Sequence, residues 1–71
     1  MEKFTVFVLD YDEELIEKIK SRANNSAYFK FVGSATNGEE ALRKIKVLGG
    51  VDLLITELFV SWEFGIFIVS P

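Results

Sequence analysis

The chain has 71 residues, a net charge of −3 and 49% hydrophobic residues, which together describe one small globular domain with a modest core. It contains no Cys and no His, which excludes disulfides, thiolate metal sites and the usual general base and zinc ligand. Basic residues do not cluster beyond Arg43, Lys44 and Lys46, so direct nucleic-acid binding is not expected, and no apolar run is long enough to span a membrane.

The first predicted element is a buried strand over Phe4–Leu9. This run is rich in β-branched and aromatic residues and shows little polar alternation. Residues 1–3 lead straight into the strand, so we expect no signal peptide and a cytoplasmic protein. The acidic cluster Asp10-Tyr11-Asp12 ends the strand.

A helix is predicted to follow this acidic cluster. Asp12 or Asp10 is suited to cap it, and two glutamates, Glu13 and Glu14, suit its positive first turn. Residues 24–26 stop the helix. Its apolar residues fall at helical spacing: Leu15, Ile16, Ile19 and Ala23.

The second strand is predicted over residues 28–33, and Lys30 within it indicates a partly solvent-exposed edge or face. Asn37-Gly38 then opens a second helix, which Gly49-Gly50 closes. Its inner stripe is Ala41, Leu42 and Ile45. Its outer face has two favourable i, i+4 pairs, Glu39 with Arg43 and Glu40 with Lys44.

A third strand is predicted over residues 52–58. Four of these seven residues are apolar and a Gly pair precedes them, which is typical of a strand buried on both faces in the middle of a parallel sheet. Glu57 then lies at the carboxyl edge of the sheet, where open α/β folds place their sites. It is a candidate for chemistry or for its remnant, or else a carboxylate that has reached water.

The order strand, helix, strand, helix, strand with short connections predicts an α/β fold with a parallel sheet. Residues 61–71 form a C-terminal tail in which residues 66–70 favour a strand along an open sheet edge or the start of a helix. Trp62 and Phe64 are expected either in the core or in a contact surface near the carboxyl edge.

These residues resemble the first half of a response-regulator receiver domain. The matching stretches are residues 6–12, residues 14–15, Val32-Gly33 with Ala35, the Asn-Gly-Glu-Glu-Ala-Leu stretch at 37–42, residues 52–55 and Gly65. The resemblance covers residues 4–66, about half of a complete receiver, and is closest to receivers that regulate sporulation. It implies a truncated flavodoxin-like sheet with strand order 2-1-3 and two or more helices, so that residues 1–71 form a partial receiver-like domain.

The resemblance also implies a chemistry, namely phosphoryl transfer from a partner kinase to an Asp at the end of the third strand, assisted by Mg²⁺. The phosphoacceptor position falls on Glu57 rather than Asp. The metal-binding acidic pair falls on Asp10 and Tyr11, with Asp12 one residue further along. The backbone carbonyl that completes the metal site would come from Phe59. The switch hydroxyl and the Lys of the family's later strands are absent from this sequence.

We therefore expect a receiver-like protein that is not phosphorylated, holds Mg²⁺ weakly if at all, and is not an enzyme. It would act by binding a kinase, a phosphotransferase or a full-length regulator, or by forming a homodimer through a sheet edge. Three alternatives remain: a phosphorylatable receiver fragment with a Mg²⁺-dependent site, a truncated remnant without a function of its own, and a metal-dependent hydrolase. The last would be built on Asp10, Asp12 and Glu57.

Overall fold

The computed structural model describes residues 2–56, in which three strands alternate with two helices. The elements are β1 (Phe4–Leu9), α1 (Glu13–Asn24), β2 (Phe29–Ala35), α2 (Gly38–Leu48) and β3 (Leu53–Thr56). The strands form a parallel sheet in the order β2-β1-β3. The predicted α/β alternation and the 2-1-3 order are therefore confirmed for this part of the chain. Residues 57–71, including the predicted tail, lie outside the described residues.

The core is organised around β1, whose last four residues are buried. Side chains of a strand alternate between the two faces of the sheet. Phe7 and Leu9 therefore pack on the α2 side with Ala35 and Ala41, and Val6 and Val8 pack on the α1 side with Ile16. Both helices lie over β1 and β2.

The expectation that the third strand forms the middle of the sheet is wrong for the described residues. There, β3 pairs only with β1 and forms one edge of the sheet, and the side chain of Leu53 remains 42% exposed. The apolar run over residues 53–55 shows that the strand contacts a core. It does not show how many strands flank it, and β1 is equally apolar and longer.

A bulge interrupts the pairing of β1 with β2. Val6 pairs with Phe31 and Phe7 pairs with Gly33, so Val32 is the extra residue on β2. A Cβ atom at Gly33 would lie 3.0 Å from Cε2 of Phe7, so the ring occupies the space that a larger residue would need. The strand extends to Ala35, two residues beyond the predicted end, because pairing with Leu9 continues past the bulge.

Helix ends follow the predicted residues. Asp12 caps α1, and its Oδ1 accepts hydrogen bonds from the amides of Glu14 and Leu15. Asn37 caps α2 in the same way. Gly49 ends α2 in the left-handed conformation at φ 80°, which glycine adopts without a steric penalty.

A hydrogen-bonded clasp ties the start of β3 to β1. The carboxylate of Asp52 accepts from the backbone N of Thr5 at 2.8 Å and from its Oγ1 at 3.1 Å. The backbone N of Asp52 donates to Thr5 Oγ1 at 2.9 Å. Asp52, predicted as the first strand residue, therefore anchors the strand from just before it.

Candidate functional site at the carboxyl edge

The carboxyl ends of the three strands meet at one edge of the sheet. Leu9 pairs with Ala35 on one side and with Thr56 on the other. Asp10 follows Leu9 directly, and its backbone N donates to the carbonyl of Ala35 at 3.1 Å. The turn from β1 into α1 is therefore fixed at the centre of this edge.

Asp10 is the buried acidic residue of this turn. Its side chain is only 6% exposed, and Oδ1 accepts a hydrogen bond from the amide of Asp12 at 2.8 Å. A buried carboxylate needs such partners because leaving water carries a large free-energy cost. Asp10 is thus held in one orientation at the end of the central strand.

Asp12 and Tyr11 have other surroundings. Asp12 is exposed and directs Oδ1 at the first turn of α1 as its N-cap, at 2.9 Å from the amide of Glu14. Tyr11 is 74% exposed. The structure therefore brings Asp10 and Asp12 together through one hydrogen bond and places the phenol of Tyr11 in solvent.

The two remaining predicted site residues, Glu57 and Phe59, lie outside the described residues. Thr56, which precedes Glu57, is 6% exposed and lies beside Leu9 in the sheet. Sequence reasoning missed Thr56 as a buried polar residue at this edge. The period-two alternation that places Leu54 on the α2 side would also have placed Thr56 there.

No group of three or more acidic, His or Cys side chains converges within residues 2–56. Asp10 and Asp12 supply two carboxylates, and a Mg²⁺ ion prefers near-octahedral oxygen coordination completed by further ligands or water. The magnesium site with Asp10 and the Phe59 carbonyl remains a prediction, since one of its two ligands lies outside these residues.

A polar hollow of about 410 Å³ lies beside this edge, lined by residues at the end of β2 and by residues of both helices. Lys44 on its wall donates from Nζ to Oε1 of Glu40 at 2.8 Å and to the carbonyl of Ser34 at 2.9 Å. The hydrogen bond from Lys44 lowers the pKa of the Glu40 carboxyl, and the positive charges of Lys44 and Arg43 act in the same direction. Of the two predicted i, i+4 pairs, Glu40–Lys44 is formed. The pair Glu39–Arg43 is not formed in the described part of the chain.

Fold and site together define a small α/β protein with a parallel 2-1-3 sheet and an acidic turn at its carboxyl edge. Comparisons with protein-family models, with curated proteins and with solved structures give no significant match for the chain. Neither helix in the described part of the chain has the length and apolar character needed to cross a membrane.

Proposed function

We propose that the chain is a receiver-like module of a two-component or phosphorelay system, which binds a protein partner and does not itself accept phosphate. The observation that carries this proposal is Asp10, a buried acidic residue held at the carboxyl end of the central strand of a parallel 2-1-3 sheet. Open α/β sheets place their sites at this position, and the flavodoxin-like fold uses this strand order.

The residues at three positions of the site disfavour phosphorylation. Tyr11 stands where the receiver pattern has a second metal-binding carboxylate, and its side chain points to solvent. Asp12 is engaged in capping α1. Glu57 adds a methylene at the acceptor position, and phosphoryl transfer is sensitive to misplacement by about one ångström. From these substitutions we expect weak Mg²⁺ binding and no phosphorylation at the acceptor position.

The partner we propose is a protein: a kinase, a phosphotransferase, a full-length regulator or a second copy of this chain. An apolar groove of about 260 Å³ on the α1 side of the sheet supports protein binding, with Phe29, Leu53 and Ile55 in its lining. The net charge of −3 disfavours nucleic acid and an anionic membrane surface. A cytoplasmic location follows from the proposed role in two-component signalling.

Treatment with acetyl phosphate and saturating Mg²⁺, followed by intact-mass spectrometry, tests whether the chain accepts a phosphoryl group. We expect no phosphoryl adduct on the wild-type chain. A hydroxylamine-labile adduct that needs Mg²⁺ would favour the alternative of a phosphorylatable receiver. Tandem mass spectrometry of the labelled peptide would then identify the acceptor, because Asp10→Asn would abolish the adduct whether Asp10 accepts phosphate or binds Mg²⁺.

Magnesium titration calorimetry tests the receiver-like pocket separately. Tyr11→Asp restores the second carboxylate, so we expect this variant to bind Mg²⁺ at least about tenfold more tightly than wild type, a gain of about 1.4 kcal/mol. Tyr28→Asp makes the same substitution at another exposed tyrosine, outside the acidic turn, and should leave Mg²⁺ affinity unchanged. Equal affinities in all three proteins would remove the main support for a receiver-like pocket.

A further inference from the structure

A second groove lies between β2 and the later half of α2, which we name the basic groove. Its volume is about 440 Å³, and Phe7, Val32 and Gly33 form its sheet side. Val47 and Leu48 contribute apolar surface from the helix. Because β3 runs parallel to β2, α2 must run back from the carboxyl edge, so the later half of this helix lies away from the acidic turn.

The helix wall of this groove exposes apolar side chains to an unusual degree. Val47 is 85% exposed and its neighbour Leu48 is also exposed. Single exposed apolar residues need no explanation, but these two adjoin a groove whose floor is also apolar. Val47 and Leu48 thus offer contact area to a partner without any rearrangement of the core.

The rim of the basic groove is positively charged on a protein of net charge −3. Arg43 and Lys44 line it, Lys46 follows on the same helix, and none of the lining residues is acidic. Lys44 is engaged by Glu40 and Ser34, whereas Arg43 forms no ion pair within residues 2–56. The acidic residues of α2 are confined to its first turn. The groove therefore combines an apolar floor with an available guanidinium.

We propose that the basic groove binds a short acidic amphipathic peptide segment of a partner protein. Carboxylates of the peptide would meet the planar guanidinium of Arg43, which matches carboxylate geometry with paired hydrogen bonds, and its apolar side chains would cover Val47 and Leu48. Three cations on one helix are too few for a nucleic-acid surface, and phosphate backbones would leave the apolar wall uncovered. The groove lies apart from the acidic turn, so this role stands whether or not the receiver-like function holds.

A peptide with the sequence of residues 9–17 is a suitable probe, because it combines acidic residues with Leu15 and Ile16. Labelled with fluorescein and titrated with the full chain, it should bind saturably and more weakly as salt is raised. Arg43→Glu should weaken binding at least about tenfold. Lys18→Glu makes the same charge change on α1, outside the groove, and should alter affinity less than about twofold. Val47→Ser should also weaken binding, because it removes apolar contact area from the groove. The side chain is exposed, so its loss leaves the core intact.

Amide chemical shifts of the chain locate the bound peptide. The proposal requires that peptide-induced shifts centre on Val32, Gly33 and Val47. Three results with the peptide would overturn it: no saturable binding up to about 1 mM, equal weakening by Lys18→Glu and Arg43→Glu, or shifts centred on the α1 side of the sheet. Self-association that is lost in Arg43→Glu would also overturn it, because the occupant would then be a second copy of the chain.

Discussion

Gly33 shows how a single residue leaves room for a side chain of the neighbouring strand. A Cβ at this position would approach Cε2 and Cδ2 of Phe7 to 3.0 and 3.2 Å. Since Phe7 is fully buried, its ring has little room to move away. We predict that Gly33→Ala lowers the free energy of unfolding by about 1–3 kcal/mol, as overpacking does elsewhere, measured by urea denaturation.

The partner variant Phe7→Leu separates packing from backbone effects. In that background the ring is gone, so Gly33→Ala should cost clearly less than it does in the wild-type chain. Strictly additive free energies for the two substitutions would show that the Phe7 ring is not the cause.

Glu40 provides a prediction about pH. The hydrogen bond from Lys44 lowers the pKa of this carboxyl below its usual range, so Lys44→Gln should raise that pKa, read from the side-chain carbonyl shift by NMR. A lowered folded-state pKa stabilises the protein above the unfolded-state pKa, and that contribution is lost as pH falls through the folded-state value. The effect on stability should be small because the pair lies at the surface. An unchanged Glu40 titration in Lys44→Gln would show that Lys44 is not responsible.

Among the elements, β3 depends most on a few contacts. It pairs with one strand over four residues, and the helices lie over β1 and β2 instead. The clasp between Asp52 and Thr5 fixes its start. We predict that Asp52→Ala destabilises the protein by about 1 kcal/mol, which is below the usual range for hydrogen bonds to a charged group because the clasp is exposed. Amide hydrogen exchange should accelerate in β3 and remain unchanged in β2.

Thr5→Val is the matched variant for this clasp, since it removes the hydroxyl while keeping the shape of the side chain. In a double-mutant cycle, Asp52→Ala should cost less in the Thr5→Val background. Uniform acceleration of exchange across all three strands would instead mean that the clasp supports the whole sheet rather than β3.

The helices were predictable from local sequence signals, whereas the positions and lengths of the strands depend on how they pair. The helix caps form contacts within a few residues, so the capping roles of Asp12, Asn37 and Gly49 can be predicted from the sequence. The central position of β1 and the extension of β2 past its bulge depend on neighbouring strands, which hydrophobicity does not encode.

The candidate site was predictable to a similar extent. The sequence predicted that the acidic cluster directly follows β1, and in the structure the parallel strands end together at this edge. The sequence did not predict which residue of the cluster is buried. The burial of Asp10 and the exposure of Tyr11 follow from how the turn closes. The sequence left Asp10 and Asp12 as equal candidates for the helix cap, and the hydrogen bonds assign that role to Asp12.

For the whole molecule, the strongest consequence concerns association through the α1 side of the sheet. Val6, Phe29, Leu53 and Ile55 line an apolar groove there, and β3 is an edge of the sheet in the described part of the chain. Exposed edge strands with apolar neighbours favour pairing with another chain. We predict a homodimer that uses this surface, detected by light scattering across micromolar to millimolar concentrations.

Leu53→Lys should convert this dimer to a monomer, because Leu53 lines the groove and is partly exposed, so a charge there opposes association without emptying the core. Val47→Lys introduces the same charge on α2, away from the α1 side, and should leave the dimer intact. Circular dichroism would establish that both variants remain folded. A wild-type chain that stays monomeric throughout the concentration range would contradict the dimer, and equal dissociation in both variants would indicate net charge rather than this groove as the cause.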